Sequence, residues 1–225
     1  MDRSRLAIVA GVAATLACRG RPASAPSDGT RAFAEAVIGG SRRRFPNPVL
    51  TSHDGRAVRL YDDLVRGRFV LLNFAYTRCE GKCPRGLRTL LAARSLLLPR
   101  LGCTPGLVTL TLDPEHDTPE VLGRFVAAHG GPGGWTCLTG APADLETVRR
   151  FLGFVEPDPR VDADRSQHGS LVAIGDDPRG RWQVASTQMG AAQIAQLALR
   201  AAGVSSPASR PANACYQPAT ASSNR

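Results

Sequence analysis

Lysine is nearly absent from this chain of 225 residues: of its 28 basic side chains only Lys82 is a lysine, and the others are arginines. The formal net charge is +9, but the arginines are scattered, and Arg42, Arg43 and Arg44 form the tightest cluster. The skew reads as genome composition rather than as a nucleic-acid footprint. Aromatic residues make up 5% of the chain, too few for a base-stacking platform, so a nucleic-acid partner is excluded. No apolar run is long enough to cross a bilayer as a helix, since residues 6–17 fall short of the required ~20. There is no internal repeat, which removes solenoids and propellers. Imidazoles are scarce too: four histidines are the whole supply.

The apolar stretch 6–17 follows Arg3 and Arg5 and ends in Thr15-Leu16-Ala17-Cys18. A short positive region, an apolar core and a small residue before a cysteine resemble a bacterial lipoprotein signal. Cys18 would then be lipidated and become the new N-terminus. Thr15 stands where an aliphatic residue is usual, and a plain signal peptide followed by secretion is the alternative. The lipoprotein reading puts the mature protein in the bacterial cell envelope, anchored on the periplasmic side of the membrane, and either reading puts it outside the cytoplasm, where disulfides persist. The expected organisation is a signal peptide over 1–17, a flexible tether rich in Ala, Pro, Ser and Gly over 18–44, a folded domain over 45–203 and a disordered tail over 204–225.

Within the domain the pattern alternates. Residues 48–51 and 57–60 flank His53-Asp54-Gly55, a hairpin signal. Residues 69–76 read as a buried strand and 84–98 as a helix, with 106–112 the next strand. Asp117-Thr118-Pro119-Glu120 supplies a cap and a helical proline for a helix running to His129. A short strand at 135–139, a helix over 144–152 ended by Gly153, strands at 168–174 and 182–186 about a turn, and a helix over 190–202 complete the list. This order predicts an α/β, thioredoxin-like three-layer fold with a central mixed sheet and an N-terminal hairpin extension.

Two cysteines, Cys79 and Cys83, lie on the turn between the first central strand and its helix, with Arg78, Lys82 and Arg85 close in sequence. A helix N-terminus and nearby cations lower thiol pKa values, so both are expected to ionise readily. Such a turn can form a disulfide or offer two soft ligands to one metal. Three residues separate the pair, one more than in the redox motif of thioredoxins, and two thiolates suit Cu(I), while an imidazole suits either copper oxidation state. Among the histidines, His53 sits in a hairpin turn, His116 in a loop and His129 near a helix end, where a histidine favours the dipole. His168 opens a strand whose start lies beside the dithiol in this fold. Redox members usually place a cis-proline there, yet no proline occurs between Arg160 and Asp177. His168 is therefore the expected third ligand. The polar loop 156–167 before it is expected to be mobile, closing over the metal or releasing it.

Four segments resemble the Sco/SenC family, in the family's order: residues 74–84 around the cysteines, Thr111-Leu112-Asp113-Pro114-Glu115-His116-Asp117-Thr118-Pro119, residues 135–140, and His168-Gly169-Ser170-Leu171-Val172. The resemblance implies a membrane-tethered copper chaperone that helps assemble the dinuclear copper centre of cytochrome c oxidase, binding one copper, Cu(I) or Cu(II), per chain. Cys79, Cys83 and His168 match the ligands, and Asp113 matches an acidic position that supports the site or a partner surface. The implied partners are cytochrome c oxidase subunit II or another copper protein, other copper chaperones or thiol reductants, and the membrane through lipidated Cys18. Gln167 replaces an acidic residue often found before the histidine, and Glu80 replaces a proline often found after the first cysteine.

The alternative is a thiol-disulfide reductase cycling Cys79 and Cys83, so enzymatic activity is left open. A peroxidase of the peroxiredoxin type is disfavoured, because its Pro-x-x-x-Thr-x-x-Cys pattern would place Pro and Thr where Leu72 and Tyr76 stand. A structural disulfide at this turn would close only a very short loop and stabilise little. Cys103 and Cys137 are expected to be small buried hydrophobes, a disulfide between them having no spacing rule behind it. Cys215 in the tail is left as an odd thiol that can pair between chains.

Overall fold

The computed structural model describes residues 45–131, 133–165 and 170–204. Seven strands form one mixed sheet in the order β2-β1-β5-β4-β3-β6-β7. They are β1 (Val49–Ser52), β2 (Ala57–Arg59), β3 (Phe69–Ala75), β4 (Gly106–Thr111), β5 (Trp135–Thr139), β6 (Leu171–Asp176) and β7 (Arg181–Ser186). The helices are α1 (Lys82–Leu101), α2 (Pro119–Ala128), α3 (Pro142–Phe151), α4 (Pro159–Ala163) and α5 (Ala191–Ala201), with a wide helical turn at Leu60–Val65. β3, β4 and β5 run parallel, whereas β6 pairs antiparallel with β3 and β1 antiparallel with β5.

The central strand is buried along its whole length because both faces are covered. Alternate side chains enter two separate cores. Phe69 and Leu71 meet α1, α2 and α5 through Leu90, Leu97, Leu122 and Ile194. Val70, Leu72 and Phe74 meet α3 and the Leu60–Val65 turn through Leu145, Val148 and Leu64. Each fully buried leucine contributes about 1.5–3 kcal/mol, which makes this sandwich of helices on both faces the main source of stability. The N-terminal hairpin β1–β2 extends the sheet beyond β5 in the register Thr51↔Ala57. The architecture is the thioredoxin-like α/β fold with a hairpin extension that the sequence predicts.

The differences lie in local chemistry. The α2 cap is Thr118, whose side chain accepts from the Val121 N–H, and Asp117 is released for other work. Helix α4 lies inside the stretch expected to be a polar loop, capped by Asp158 and fixed to α3 by Arg149, whose guanidinium meets Asp162 at 2.6 Å. A buried arginine on α1, Arg94, donates to the carbonyls of Pro105 (2.9 Å) and Gly133 (2.8 Å) and so pins the chain on either side of β4. Cys103 corrects an expectation: it is disulfide-bonded rather than a small buried hydrophobe, whereas Cys79, Cys83 and Cys137 carry no disulfide. Cys137 is the buried apolar residue the sequence suggests, and burial pushes its thiol pKa up. The signal peptide, Cys18, the tether to residue 44 and Cys215 lie outside the described residues.

Candidate metal centre

Strand β3 ends at Ala75 and α1 begins at Lys82, so Cys79 lies in the connecting turn and Cys83 in the first turn of the helix. Gly81 precedes α1 and brings no side-chain cap. Cys79 takes over part of that role: the Cys83 N–H donates to its Sγ at 3.4 Å, and the Gly81 N–H also points at it. The unsatisfied amides that open every helix are here turned onto a sulfur. Gly86 brings α1 close to the chain beyond β7, since a Cβ there would fall 2.6 Å from Thr187 Oγ1.

The two thiols are not equivalent. Burial alone would raise the Cys79 pKa, but hydrogen bonds from the Cys83 thiol, from the backbone amides of Cys83 and Gly81, and from the Tyr76 hydroxyl outweigh it, so Cys79 titrates below an ordinary thiol. Cys83 is pushed up, first by burial and then because it donates its proton to Cys79. This corrects the expectation that both ionise readily. The helix amides and the tyrosine serve one sulfur, and the second, more deeply buried and donating to the first, loses its proton less easily. Tyr76 is itself raised, by burial and then by the nearby Cys79, with Asp164 contributing.

Beneath the turn the Asp113–Pro119 loop supplies two buried carboxylates. Asp117, 0% exposed, accepts from Thr77 Oγ1 and Thr111 Oγ1, each at 2.5 Å, and from the Thr77 N–H at 3.2 Å. Asp113, 2% exposed, accepts from Arg78 Nη2 at 2.5 Å and from Arg165 Nη1 at 2.7 Å. Burial opposes its charge, but the two guanidinium groups hold its pKa below the usual carboxylate value. Sequence reading found Asp113 and missed Asp117, Arg165 and Tyr76. A threonine following the strand and a second aspartate four residues after the first are visible in the sequence, but nothing there says that they meet.

The structure brings Cys79 and Cys83 together, both half-buried and with no disulfide between them. His168 lies outside the described residues. The strand that follows it begins beside the dithiol: Ser170 and Leu171 line one small cleft with Cys83, Gly86 and Thr187. His53 accepts from the Cys137 N–H at 3.3 Å, and His129 Nδ1 meets the Phe125 carbonyl at 2.8 Å, so both have structural partners away from the turn. Among the described residues no three His, Cys, Asp or Glu side chains converge on one metal position. Among the described residues the dithiol offers two soft ligands. The larger cavity, about 470 Å³ and lined by Phe74, Leu112, Leu145, Arg149 and Arg165, contains neither thiol.

A fold of this kind, with a Cys-x-x-x-Cys pair after its central strand and above the Asp113–Pro119 loop, has known relatives. The SCO1/SenC family model matches residues 45–201, and the chain belongs to that family. Human protein SCO2 homolog, mitochondrial, is 38% identical over 82 residues, which cover 34% of this chain and 29% of the human protein. The chain thus spans under a third of that relative's length. Among solved structures, Arabidopsis thaliana ScoI with copper bound is similar with a TM-score of 0.57 and 20% identity, over 69% of this chain and 97% of that one. BsSco, described as a member of the Sco family of cytochrome c oxidase assembly proteins with a disulfide switch, gives a TM-score of 0.56 and 21% identity, over 70% of this chain and 92% of that one.

Proposed function

We propose that this protein is a copper-transfer protein of cytochrome c oxidase assembly, acting outside the cytoplasm. It binds one copper through Cys79, Cys83 and His168 and passes it to subunit II of the oxidase or to another copper protein. The observation that carries this reading is a dithiol with no disulfide between its sulfurs, one of which, Cys79, collects the amides of the helix start and the Tyr76 hydroxyl. A soft, preorganised sulfur pair suits Cu(I), and His168 adds the harder ligand that Cu(II) needs. Family membership and a copper-bound relative of the same fold support it. Transfer proceeds by ligand exchange, the acceptor's ligands replacing these three one at a time. No described helix is long and apolar enough to cross a membrane, and attachment through lipidated Cys18 belongs to the same proposal.

The asymmetry of the thiols favours a second reading, reduction of a partner disulfide. The Cys79 thiolate attacks one partner sulfur and forms a mixed disulfide, expelling the other as a thiolate. Cys83 then loses its proton and attacks Cys79, releasing the second partner thiolate and leaving a Cys79–Cys83 disulfide. Two electrons pass to the partner, and an external thiol reductant restores the dithiol.

Metal binding decides between them. The soluble domain is reduced anaerobically and offered Cu(I) and Cu(II) against a competing chelator, as wild type, His168→Ala and Cys79→Ser/Cys83→Ser. The chaperone reading expects one tightly held copper per chain, with Cu(II) weakened more than Cu(I) in His168→Ala. Binding no stronger than that of the double cysteine variant would overturn it and leave the reductase.

A further inference from the structure

The Asp113 carboxylate is almost completely buried, yet both of its cationic partners are half in solvent: the side chains of Arg78 and Arg165 are 60% and 48% exposed. One guanidinium is enough to neutralise one carboxylate. The second comes from 52 residues further along the chain and from a different part of the fold. Arg78 adjoins Cys79 in the dithiol turn. Arg165 lies two residues beyond α4, in the segment that leaves α3.

Asp113 is a fixed post between them. Its N–H donates to Thr111 Oγ1 at 2.9 Å, and its carbonyl accepts from the N–H groups of His116 and Asp117 at 3.1 and 2.8 Å. The arginines therefore come to the carboxylate rather than the reverse. The segment is fastened at its other end as well. Arg149 donates to the Phe154 carbonyl at 2.8 Å and holds Asp162, which in turn accepts from the Glu156 N–H at 2.8 Å. A second link runs in parallel, since Asp164 lies within electrostatic reach of Tyr76, the hydroxyl that donates to Cys79.

We propose that Asp113 is a positioning residue that fastens the dithiol turn to residues 154–165 through Arg78 and Arg165, so that loosening either one loosens the other. The consequence for copper rests on the function proposed above: the fastened turn carries both cysteine ligands, so the same carboxylate sets how readily the metal leaves.

The test begins in the reduced, metal-free protein, where copper is not needed. Amide hydrogen exchange is followed over residues 75–83 and 154–165 in wild type, Arg165→Gln, Asp113→Asn and the double variant. Arg165→Gln changes an exposed side chain and leaves the core intact. It is expected to speed exchange in the dithiol turn, where the Arg78 amide lies 87 residues away in sequence, by about tenfold, within the range for residues sharing one network. In the Asp113→Asn background the same change is expected to add nothing. Unchanged exchange in the turn, or an effect of Arg165→Gln that persists fully without the Asp113 charge, overturns the coupling. In copper-loaded protein, Arg165→Gln is expected to release the metal to a chelator several times faster. An equal release rate overturns the role in transfer, whereas failure of copper binding in the wild type would strike the proposed function and leave the exchange result standing.

Discussion

Helices α1 and α2 follow neighbouring parallel strands, β3 and β4, and begin at the same edge of the sheet, yet their first turns are opposites. Helix α2 has a threonine cap, a proline at its first position and Glu120 near the positive end of its dipole. Helix α1 has glycine before it, no side-chain cap, no acidic residue in its first turn, and the cations Lys82 and Arg85 where they oppose the dipole. The first arrangement is what stability asks for. The second leaves amides free, and the structure turns them onto Cys79. A helix start that breaks its own rules beside one that keeps them marks where the chain gave up stability for chemistry.

The largest effect is expected where the two starts are tied together. Asp117 belongs to the α2 loop but holds Thr77 of the dithiol turn, and it is fully buried. Asp117→Ala removes three hydrogen bonds to a charged group and is expected to cost about 3 kcal/mol in denaturant unfolding, each such bond being worth roughly 1.5–3 kcal/mol before relaxation. A loss below about 1 kcal/mol would show that the two starts are independent.

A smaller change probes only the α1 side. Tyr76→Phe removes a donor to the Cys79 thiolate without touching α2. The donor favours the ionised form, so its loss is expected to raise the Cys79 pKa towards that of an ordinary thiol. In the wild type, alkylation by iodoacetamide is expected at Cys79 before Cys83, with a rate that rises with pH through an inflection below that of an ordinary thiol. The variant shifts that inflection upward. The same inflection in both proteins would remove Tyr76 from the site.

The smallest effects compare the two starts directly, and their signs should differ. Thr118→Ala strips the α2 cap and is expected to destabilise by about 1 kcal/mol. Arg85→Glu puts an acid near the positive end of α1 and is expected to stabilise the metal-free protein by about 0.5 kcal/mol. Thermal unfolding at low ionic strength reads both, and a destabilising Arg85→Glu would mean that this cation has a partner role within the fold.

The α/β alternation, the buried central strand and the hairpin extension were legible in the chain, because apolar periodicity and turn residues act over a few neighbours. The Cys79/Cys83 pair was legible for the same reason, since two cysteines on a strand-to-helix turn are a local fact. The Asp117-Thr118 pair shows the limit. Both residues are good caps in isolation, and which one caps α2 depends on whether a threonine forty positions earlier competes for the other.

The unequal thiols follow that pattern. Sequence spacing places both near a helix start, but only the folded geometry decides which sulfur receives the amides and which must share its proton. Helix α4 was read as loop because one turn anchored by a distant arginine has no periodicity to detect. The chain by itself determined the fold class, the dithiol and the order of its elements, all consequences of contacts close in sequence. The tertiary structure alone decided that Cys79 is the sulfur that receives the amides, that Asp117 binds Thr77, and that Arg78 and Arg165 meet on Asp113. Buried charges settle on whichever partners the packed core brings within hydrogen-bonding distance, and that choice is made across the whole sheet.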